Sequence, residues 1–316
     1  MSKHWRIAFI LAVAACLLIS ACGGNSSATT STSTPASGST SASTPGSSAS
    51  NAGGFNCVSG SITASGSTAL QPYVDAVAKK YQEKCSGARI TVQPGGSKKG
   101  LADAENGTSQ IGNSDVPAAT NQTDLVDHQV AIVIFTLIVN PNVKVNDIKT
   151  SDVQGIYTGK ITNWKQVGGP DLPITVISRP TTSGTRATFK KFMLDNNNES
   201  PAQAKNLTVD STGTVIQTVS QTAGAIGYAA LGDAEKASSS LAILKIDGQE
   251  PTAANVTSNA YKFWNIEHMY TKGQPSGLAQ AFLDYMVSSD ATTIAESLKF
   301  VPTNTVPENI RTTHNK

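Results

Sequence analysis

The sequence predicts an α/β fold with mainly parallel sheets, because short apolar strands alternate with amphipathic helices along most of the chain. Residues 61–64, 89–92 and 174–177 are rich in β-branched side chains, as expected of buried strands. Each of these runs is followed by a polar, glycine-containing turn and then by apolar residues at helical spacing. The same strand, turn and helix order therefore occurs three times.

The turn at residues 178–186 is the richest of the three in groups that can bind an anion. It contains Arg179, Ser183 and Gly184, and a helix marked by Phe189 and Phe192 is predicted to start near Thr185. Free backbone N–H groups at a helix start, hydroxyls, a flexible glycine and an arginine together favour an oxyanion site. An ordinary capped helix after a strand is the alternative.

Two earlier turns repeat this chemistry and favour the anion-binding interpretation. Residues 65–68 precede a helix whose apolar face carries Leu70, Val74, Val77 and Tyr81. Residues 95–100 precede a short helix and include Lys98 and Lys99, which would suit either a bound anion or a solvated surface.

The remaining predicted elements complete an alternating pattern. One strand near 110–117 ends in a loop that carries a single carboxylate, Asp115. The strongly apolar run 130–139 suits a central strand or one that passes between domains. The other predictions are helices at 147–157, 214–221, 278–286 and 291–298, a strand at 224–228 and a second crossing strand at 262–270.

The N-terminal region has the features of an export signal. Residues 1–21 combine early basic residues with an apolar run, which is shorter than the roughly 20 residues that a membrane-spanning anchor needs. Residues 19–22 resemble the bacterial lipobox, in which the cysteine, here Cys22, becomes the lipidated first residue. Residues 22–54 are almost entirely small and polar without charge, which predicts a flexible tether.

The exported part has no net charge and two cysteines. Removing residues 1–21 takes away Lys3 and Arg6 and no acid, leaving 22 basic and 22 acidic residues, so nucleic acid is not expected as a partner. Cys57 and Cys85 are the cysteines of the predicted folded part. In an exported protein they suggest a disulfide, and two free buried thiols are the alternative.

Catalytic patterns are missing from the sequence. It has no phosphate-binding P-loop, no nucleophile-elbow motif and no lysine three residues after a serine. His128 and His268 stand apart from any ligand-spaced cluster, and His314 lies in the tail. We therefore expect no enzyme activity, no metal and no cofactor.

Six short motifs occur in an order that resembles the substrate-binding lipoprotein of the bacterial phosphate ABC transporter. The resemblance runs from about residue 58 to 303, and the motifs lie at residues 66–68, 96–97, 112–115, 159–164, 179–185 and 224–228. It implies a two-lobed, type II periplasmic-binding-protein-like fold in which each lobe is a mainly parallel sheet flanked by helices. Residues 55–138 and 264–316 would form one lobe and 139–263 the other, with the ligand in the cleft between them.

The family's binding residues carry over to nine positions of this chain, namely Ser67, Thr68, Ala69, Ser97, Asp115, Arg179, Ser183, Gly184 and Thr185. Three positions depart from the family. Ala69 replaces a common Phe, so that only a backbone contact is expected there, and Lys98 replaces a typical Gly. Thr181 stands where many members carry an Asp that restrains the Arg, which leaves Arg179 free or held by another group.

The implied function is extracytoplasmic capture of inorganic phosphate by a lipid-anchored monomer, which delivers the ion to the permease of an ABC transporter. Closure of two lobes would bury the ion. A binder of another oxyanion, such as sulfate or molybdate, is one alternative, although it has no need of Asp115. An exported phosphate-ester hydrolase is the other, and it would require a metal cluster or an activated nucleophile.

Overall fold

The structure is a computed structural model, and it describes residues 57–200 and 206–315. The predicted signal peptide, the lipidation site at Cys22 and the tether at 22–54 lie outside the described residues. Within the described part, no helix is both long and apolar enough to cross a membrane.

Strands and helices alternate through the described chain, as the sequence predicts. The strands are β1 Gly60–Gly66, β2 Ala88–Pro94, β3 Ile111–Ser114, β4 Leu125–Val139, β5 Asp147–Ile148, β6 Thr175–Ser178, β7 Leu207–Thr208, β8 Ala225–Ala230, β9 Ala242–Ile243, β10 Lys245–Ile246 and β11 Trp264–Lys272. The helices are α1 Gln71–Lys84, α2 Ser97–Glu105, α3 Thr150–Tyr157, α4 Gly184–Phe192, α5 Thr212–Gln221, α6 Leu231–Lys236, α7 Ala253–Thr257, α8 Gly277–Met286, α9 Ser289–Ser297 and α10 Glu308–Asn315.

Nine of the described strands form one mixed sheet in the order β2-β1-β3-β11-β4-β8-β6-β7, with β9 paired to β4. Pairing is parallel at each end of the sheet, where β1 joins β2 and β3, and β6 joins β7 and β8. Pairing is antiparallel in the middle, where β11 joins β3 and β4, and β4 joins β8. The α/β prediction is confirmed, with parallel pairing restricted to the two ends.

The long strand β4 belongs to both halves of this sheet. Residues 125–129 and 131–134 pair with β11, and residues 135–139 pair with β8. The apolar run 130–139 is buried along its whole length, which explains its β-branched composition. The strand starts five residues before the predicted position, because residues 125–129 also pair with β11 although they are more polar and partly exposed.

The helix predicted at 147–157 is wrong at its first residues. Asp147 and Ile148 form a short parallel pair with β10 instead. The Thr150 backbone N–H then donates to the Asp247 carboxylate at 2.9 Å, where α3 begins. Sequence periodicity alone does not reveal this pair, because each of its strands has only two residues.

Helix α1 packs its apolar face into the core and is tied to the start of the described chain. Tyr81 lies edge-on to Phe282 and Tyr285 of α8, with ring centroids 6.0 and 5.4 Å away. A disulfide joins Cys57 to Cys85 just after the helix, with a Cα–Cα distance of 5.4 Å. The structure therefore has the linked pair rather than two free thiols.

The tail folds into α10, an element that the sequence analysis does not predict. His314 is buried between the rings of Trp264 and Phe192, with centroid distances of 3.6 and 3.9 Å. Its Nε2 also lies 2.8 Å from the Trp264 carbonyl oxygen. The histidine therefore joins the last helix to β11 and α4.

Candidate functional site

The three hydroxyl-bearing turns come together between the two halves of the sheet. Ser67 follows β1, Ser97 begins α2 and Ser183 is the N-cap of α4, and all three side chains are buried. The carboxyl ends of neighbouring parallel strands lie at the same edge of a sheet, which places the turns after β1, β2 and β3 side by side. The turn after β6 contributes from the other half.

Asp115 links these turns, because both of its carboxylate oxygens accept hydrogen bonds. Ser67 donates to Oδ1, and Thr185 Oγ1 donates to Oδ2 at 2.8 Å. The Asp115 backbone N–H donates to Ser97 Oγ at 3.0 Å. Burial raises the pKa of Asp115, while the bonds from Ser67 and Thr185 and the positive charge of Arg179 act in the opposite direction.

Arg179 supplies a buried guanidinium cation, and the protein uses only part of its hydrogen-bonding capacity. Its side chain is 1% exposed, and Nη2 donates to the Asp210 carbonyl oxygen at 2.9 Å and to Thr68 Oγ1 at 3.2 Å. Nε and Nη1 are buried without any hydrogen-bond partner. Two N–H groups of one guanidinium are therefore available to a bidentate oxyanion. The Asp210 carbonyl and the Thr68 hydroxyl thus restrain Arg179. They take the role of the family's aspartate, whose position is occupied here by Thr181.

Serine hydroxyls accept hydrogen bonds from backbone N–H groups in two of the turns, at the N-cap of α4 and just before α1. Ser183 Oγ accepts from the Arg186 backbone N–H at 3.2 Å, and Ser67 Oγ accepts from the N–H groups of Ala69 and Leu70 at 3.1 and 3.0 Å. The Ala69 N–H, expected to contact the ligand, is thus bonded to Ser67 in this structure. An anion there would have to share that N–H with Ser67.

The two halves also touch through backbone atoms beside the site. The Lys98 N–H donates to the Thr182 carbonyl oxygen at 3.1 Å. Gly96 has φ +86°, and a Cβ there would lie 3.0 Å from the same oxygen, so a glycine allows this approach. The Lys98 and Lys99 side chains are exposed, and Lys99 pairs with Asp103. They fit a solvated surface better than the anion site.

Several residues at this site are not anticipated by the sequence reasoning. The Thr212 N–H donates to Thr68 Oγ1 at 3.2 Å, and the Arg179 N–H donates to the Tyr228 hydroxyl at 3.2 Å. Asp210 and Thr212 adjoin the start of α5, which Ser211 caps as Ser183 caps α4, and this serine was the available signal. The signal for Glu267 was a lone acid in the run 262–270, which the sequence predicts to be a crossing strand.

Glu267 is fully buried, and no protein group donates a hydrogen bond to either of its carboxyl oxygens. Burial, and then the negative charge of nearby Asp115, raise the pKa of the Glu267 carboxyl well above its usual range. The site thus contains the Arg179 cation and two carboxyl groups. Asp115 accepts hydrogen bonds from Ser67 and Thr185, whereas Glu267 accepts none.

Comparison with known proteins places this arrangement in a family. The model of the PBP superfamily domain matches residues 27–290. The Phosphate-binding protein PstS of Bacillus subtilis is 41% identical over 294 residues, covering 92% of this chain and 91% of that protein. The Phosphate-binding protein PstS of Borreliella burgdorferi is 28% identical, covering 76% and 89%.

A solved structure supports the same relationship. It is described as that of a phosphate ABC transporter substrate-binding protein from Clostridium perfringens with bound phosphate, and it covers 77% of this chain and 99% of its own. The TM-score is 0.71 at 28% identity. With its two-lobed α/β fold, the chain therefore belongs to the PBP superfamily, in the family of the PstS phosphate-binding proteins.

Proposed function

We propose that the protein captures inorganic phosphate between its two lobes outside the cytoplasm and delivers it to the permease of an ABC transporter. The observation that carries this proposal is the Arg179 guanidinium, which is buried with Nε and Nη1 unpaired while Asp115 lies nearby. Unpaired N–H groups on a buried cation are unfavourable without an anion, and phosphate presents oxygens that match the guanidinium fork.

Asp115 favours phosphate over fully ionised oxyanions. A carboxylate only accepts hydrogen bonds, and phosphate carries at least one proton near neutral pH that it can donate. Sulfate has no such proton and would meet Asp115 oxygen to oxygen. Two buried anionic oxygens without a proton between them repel each other, so the same carboxylate rejects sulfate and molybdate.

The contacts between lobes suggest how the ion is retained. Thr185 to Asp115 and Arg179 to Thr68 are hydrogen bonds between residues of the proposed lobe two and lobe one. Lobe one would comprise residues 55–138 and 264–316, and lobe two residues 139–263. Opening around β4 and β11 would break these bonds and expose the site, while closure would reform them around the ligand.

The proposal extends to the position of the protein in the cell. Export by residues 1–21, lipidation at Cys22 and the tether at 22–54 would hold a monomer at the outer face of the membrane. Treatment of cells with radiolabelled palmitate should label the wild-type chain, and Cys22→Ala should abolish labelling and release the protein from the membrane fraction.

Equilibrium dialysis with radiolabelled phosphate tests the ligand. We expect the purified protein, freed of bound phosphate, to bind one phosphate per chain, with no displacement by a large excess of sulfate or molybdate. Displacement by sulfate or molybdate at concentrations equal to that of phosphate would identify a general oxyanion binder instead.

A separate experiment tests the alternative that the protein hydrolyses phosphate esters. Among residues 57–200 and 206–315, no group of three or more His, Cys, Asp or Glu side chains is placed to hold a metal ion. We expect no release of phosphate from p-nitrophenyl phosphate, with or without added zinc or magnesium. Turnover that Ser183→Ala abolishes would overturn the assignment as a binding protein.

A further inference from the structure

Glu267 lies beside Asp115 because of how β11 pairs with β3. The last antiparallel pair between these strands joins His268 to Ser114. The next residues beyond this pair are Glu267 in β11 and Asp115, which directly follows β3. The pairing of β11 with β4 shifts between Glu267 and His268, so a bulge occurs next to the acid. Bulges commonly reorient a side chain near a functional site.

The surroundings of Glu267 do not stabilise a negative charge. Its side chain is 0% exposed, no protein group donates a hydrogen bond to Oε1 or Oε2, and the Asp115 carboxyl lies close enough to raise the pKa of Glu267. Asp115, in contrast, accepts bonds from Ser67 and Thr185 and lies near the Arg179 cation. When two carboxyl groups share one site, the proton stays on the group whose anion is less well stabilised. When this pair of carboxyl groups holds one proton, that proton is therefore on Glu267.

Counting the acceptor positions of Asp115 shows what this proton can do. A carboxylate has about four lone-pair positions. Ser67 and Thr185 occupy one on each oxygen. A proton donated by bound phosphate would take a third. One position is then left for a donor from the protein, and Glu267 is the neighbouring group that can supply it.

We propose that Glu267 is a neutral hydrogen-bond donor that holds Asp115 in position to accept the proton of bound phosphate. It is a positioning residue, acting through Asp115 rather than on the ion. A neutral Glu267 also keeps a second negative charge away from the anion. The proposal rests on phosphate binding as proposed above and deepens it by assigning a role to a carboxyl group outside the nine predicted binding positions.

Two substitutions separate this role from an ionised or merely structural one. Glu267→Met removes the donor at similar volume, while Glu267→Gln keeps a neutral donor. We expect Met to weaken phosphate binding by at least about tenfold and to narrow the phosphate-to-sulfate preference, because Asp115 is less firmly held. Glu267→Gln should retain most of the phosphate affinity and most of the preference for phosphate over sulfate. Glu296→Gln on the exposed side of α9 is the matched control and should change neither.

Each opposite outcome contradicts the proposal. A gain of tenfold or more in phosphate affinity for Glu267→Gln would show that Glu267 is ionised and repels the ligand. Unchanged affinity and preference in a folded Glu267→Met variant would reduce the residue to a structural role. Folding of each variant is checked by circular dichroism.

An infrared measurement without ligand keeps this inference separate from the proposed function. The wild-type spectrum at neutral pH should contain a protonated-carboxyl band that Glu267→Gln removes. A missing band in the wild type would overturn the inference even if phosphate binds. Failure of the wild type to bind phosphate would instead overturn the proposed function, and the band would still report on Glu267.

Discussion

Gly184 lies against Ser97 across the site, and a Cβ atom placed on Gly184 would be 2.1 Å from Ser97 Oγ. The same atom would lie 2.8 Å from the Ser97 Cβ and 2.9 Å from the Asp115 Cβ. The two Cβ atoms are fixed by the backbone, and the buried Ser97 Oγ is held by the Asp115 N–H. A glycine is therefore required here for close approach of the two halves.

Gly184→Ala should hinder closure without harming the fold. Overpacking of this kind costs about 1–3 kcal/mol, which corresponds to a loss of phosphate affinity on the order of ten- to hundredfold. The unfolding temperature without phosphate should match or exceed that of the wild type, because the lobes can separate and Ala favours helices. Isothermal titration calorimetry and thermal unfolding measure the two effects.

Gly213→Ala provides the matched control for this prediction. Gly213 lies in the first turn of α5, and the nearest atom to a Cβ there would be Ser211 Oγ at 4.0 Å. The substitution should leave phosphate affinity unchanged. Equal affinities for wild type and Gly184→Ala would show that the site binds its ligand without this close approach.

Arg179→Lys should weaken phosphate binding while leaving the fold intact. An ammonium group cannot reproduce the planar fork that leaves Nε and Nη1 free for two ligand oxygens. Loss of one charge-assisted bond costs about 1.5–3 kcal/mol, or roughly ten- to hundredfold in affinity. Arg89→Lys, on the exposed strand β2, is the control. Wild-type affinity in Arg179→Lys would remove the guanidinium from the site.

Asp115→Asn should narrow the preference for phosphate over sulfate. The amide carries no charge and can donate a hydrogen bond, so an anion without a proton is no longer rejected. We expect the ratio of phosphate to sulfate affinity to fall by at least about tenfold, equivalent to about 1.4 kcal/mol. Competition titrations on folded mutant and wild type measure the ratio, and an unchanged value would exclude Asp115 from ligand selection.

The Cys57–Cys85 disulfide should stabilise the exported protein. The two residues are 28 positions apart, and closing a loop of that size contributes about 3–4 kcal/mol on the chain-entropy description. Urea unfolding of wild type and of the Cys57→Ser/Cys85→Ser double variant measures the difference. Titration of two free thiols in the denatured, unreduced protein would contradict the linked state.

His314 should make stability depend on pH in the acidic range. Burial between two aromatic rings lowers the pKa of His314 to about 4, and the positive charges of Lys191 and Lys262 contribute. The unfolded state then takes up a proton at higher pH than the folded state does. The stabilising effect of the neutral ring is complete above about pH 6.5 and is lost as the pH falls to about 4, amounting to about 3 kcal/mol at most.

A comparison with His314→Phe isolates this effect from other titrating groups. Phenylalanine retains the stacking on Trp264 and Phe192 but does not titrate. The free energy of unfolding of the wild type should fall more steeply between pH 7 and pH 4 than that of the variant. Parallel pH profiles would show that His314 is already protonated in the folded protein or exposed to solvent.

The parts of this molecule that were predictable from sequence depend on local patterns. The apolar spacing from Leu70 to Tyr81 predicts α1, and the hydroxyl-bearing turns after strands predict that Ser67 and Ser97 belong to one site, where both bond to Asp115. Glu267 could not be placed beside Asp115 in this way, because their contact follows from antiparallel pairing of strands that are distant in the chain. The Asp210 carbonyl that holds Arg179 is likewise a backbone group whose position depends on tertiary structure.

The pairing of the Arg179 cation with the carboxyl group of Asp115 has a consequence for the speed of capture. Such a site projects little net field into the surrounding solvent, and residues 22–316 contain 22 basic and 22 acidic residues. Long-range attraction therefore does little to accelerate the encounter with an anion, and added salt has little attraction to screen. We therefore expect phosphate to associate at nearly the same rate in dilute and in saline surroundings.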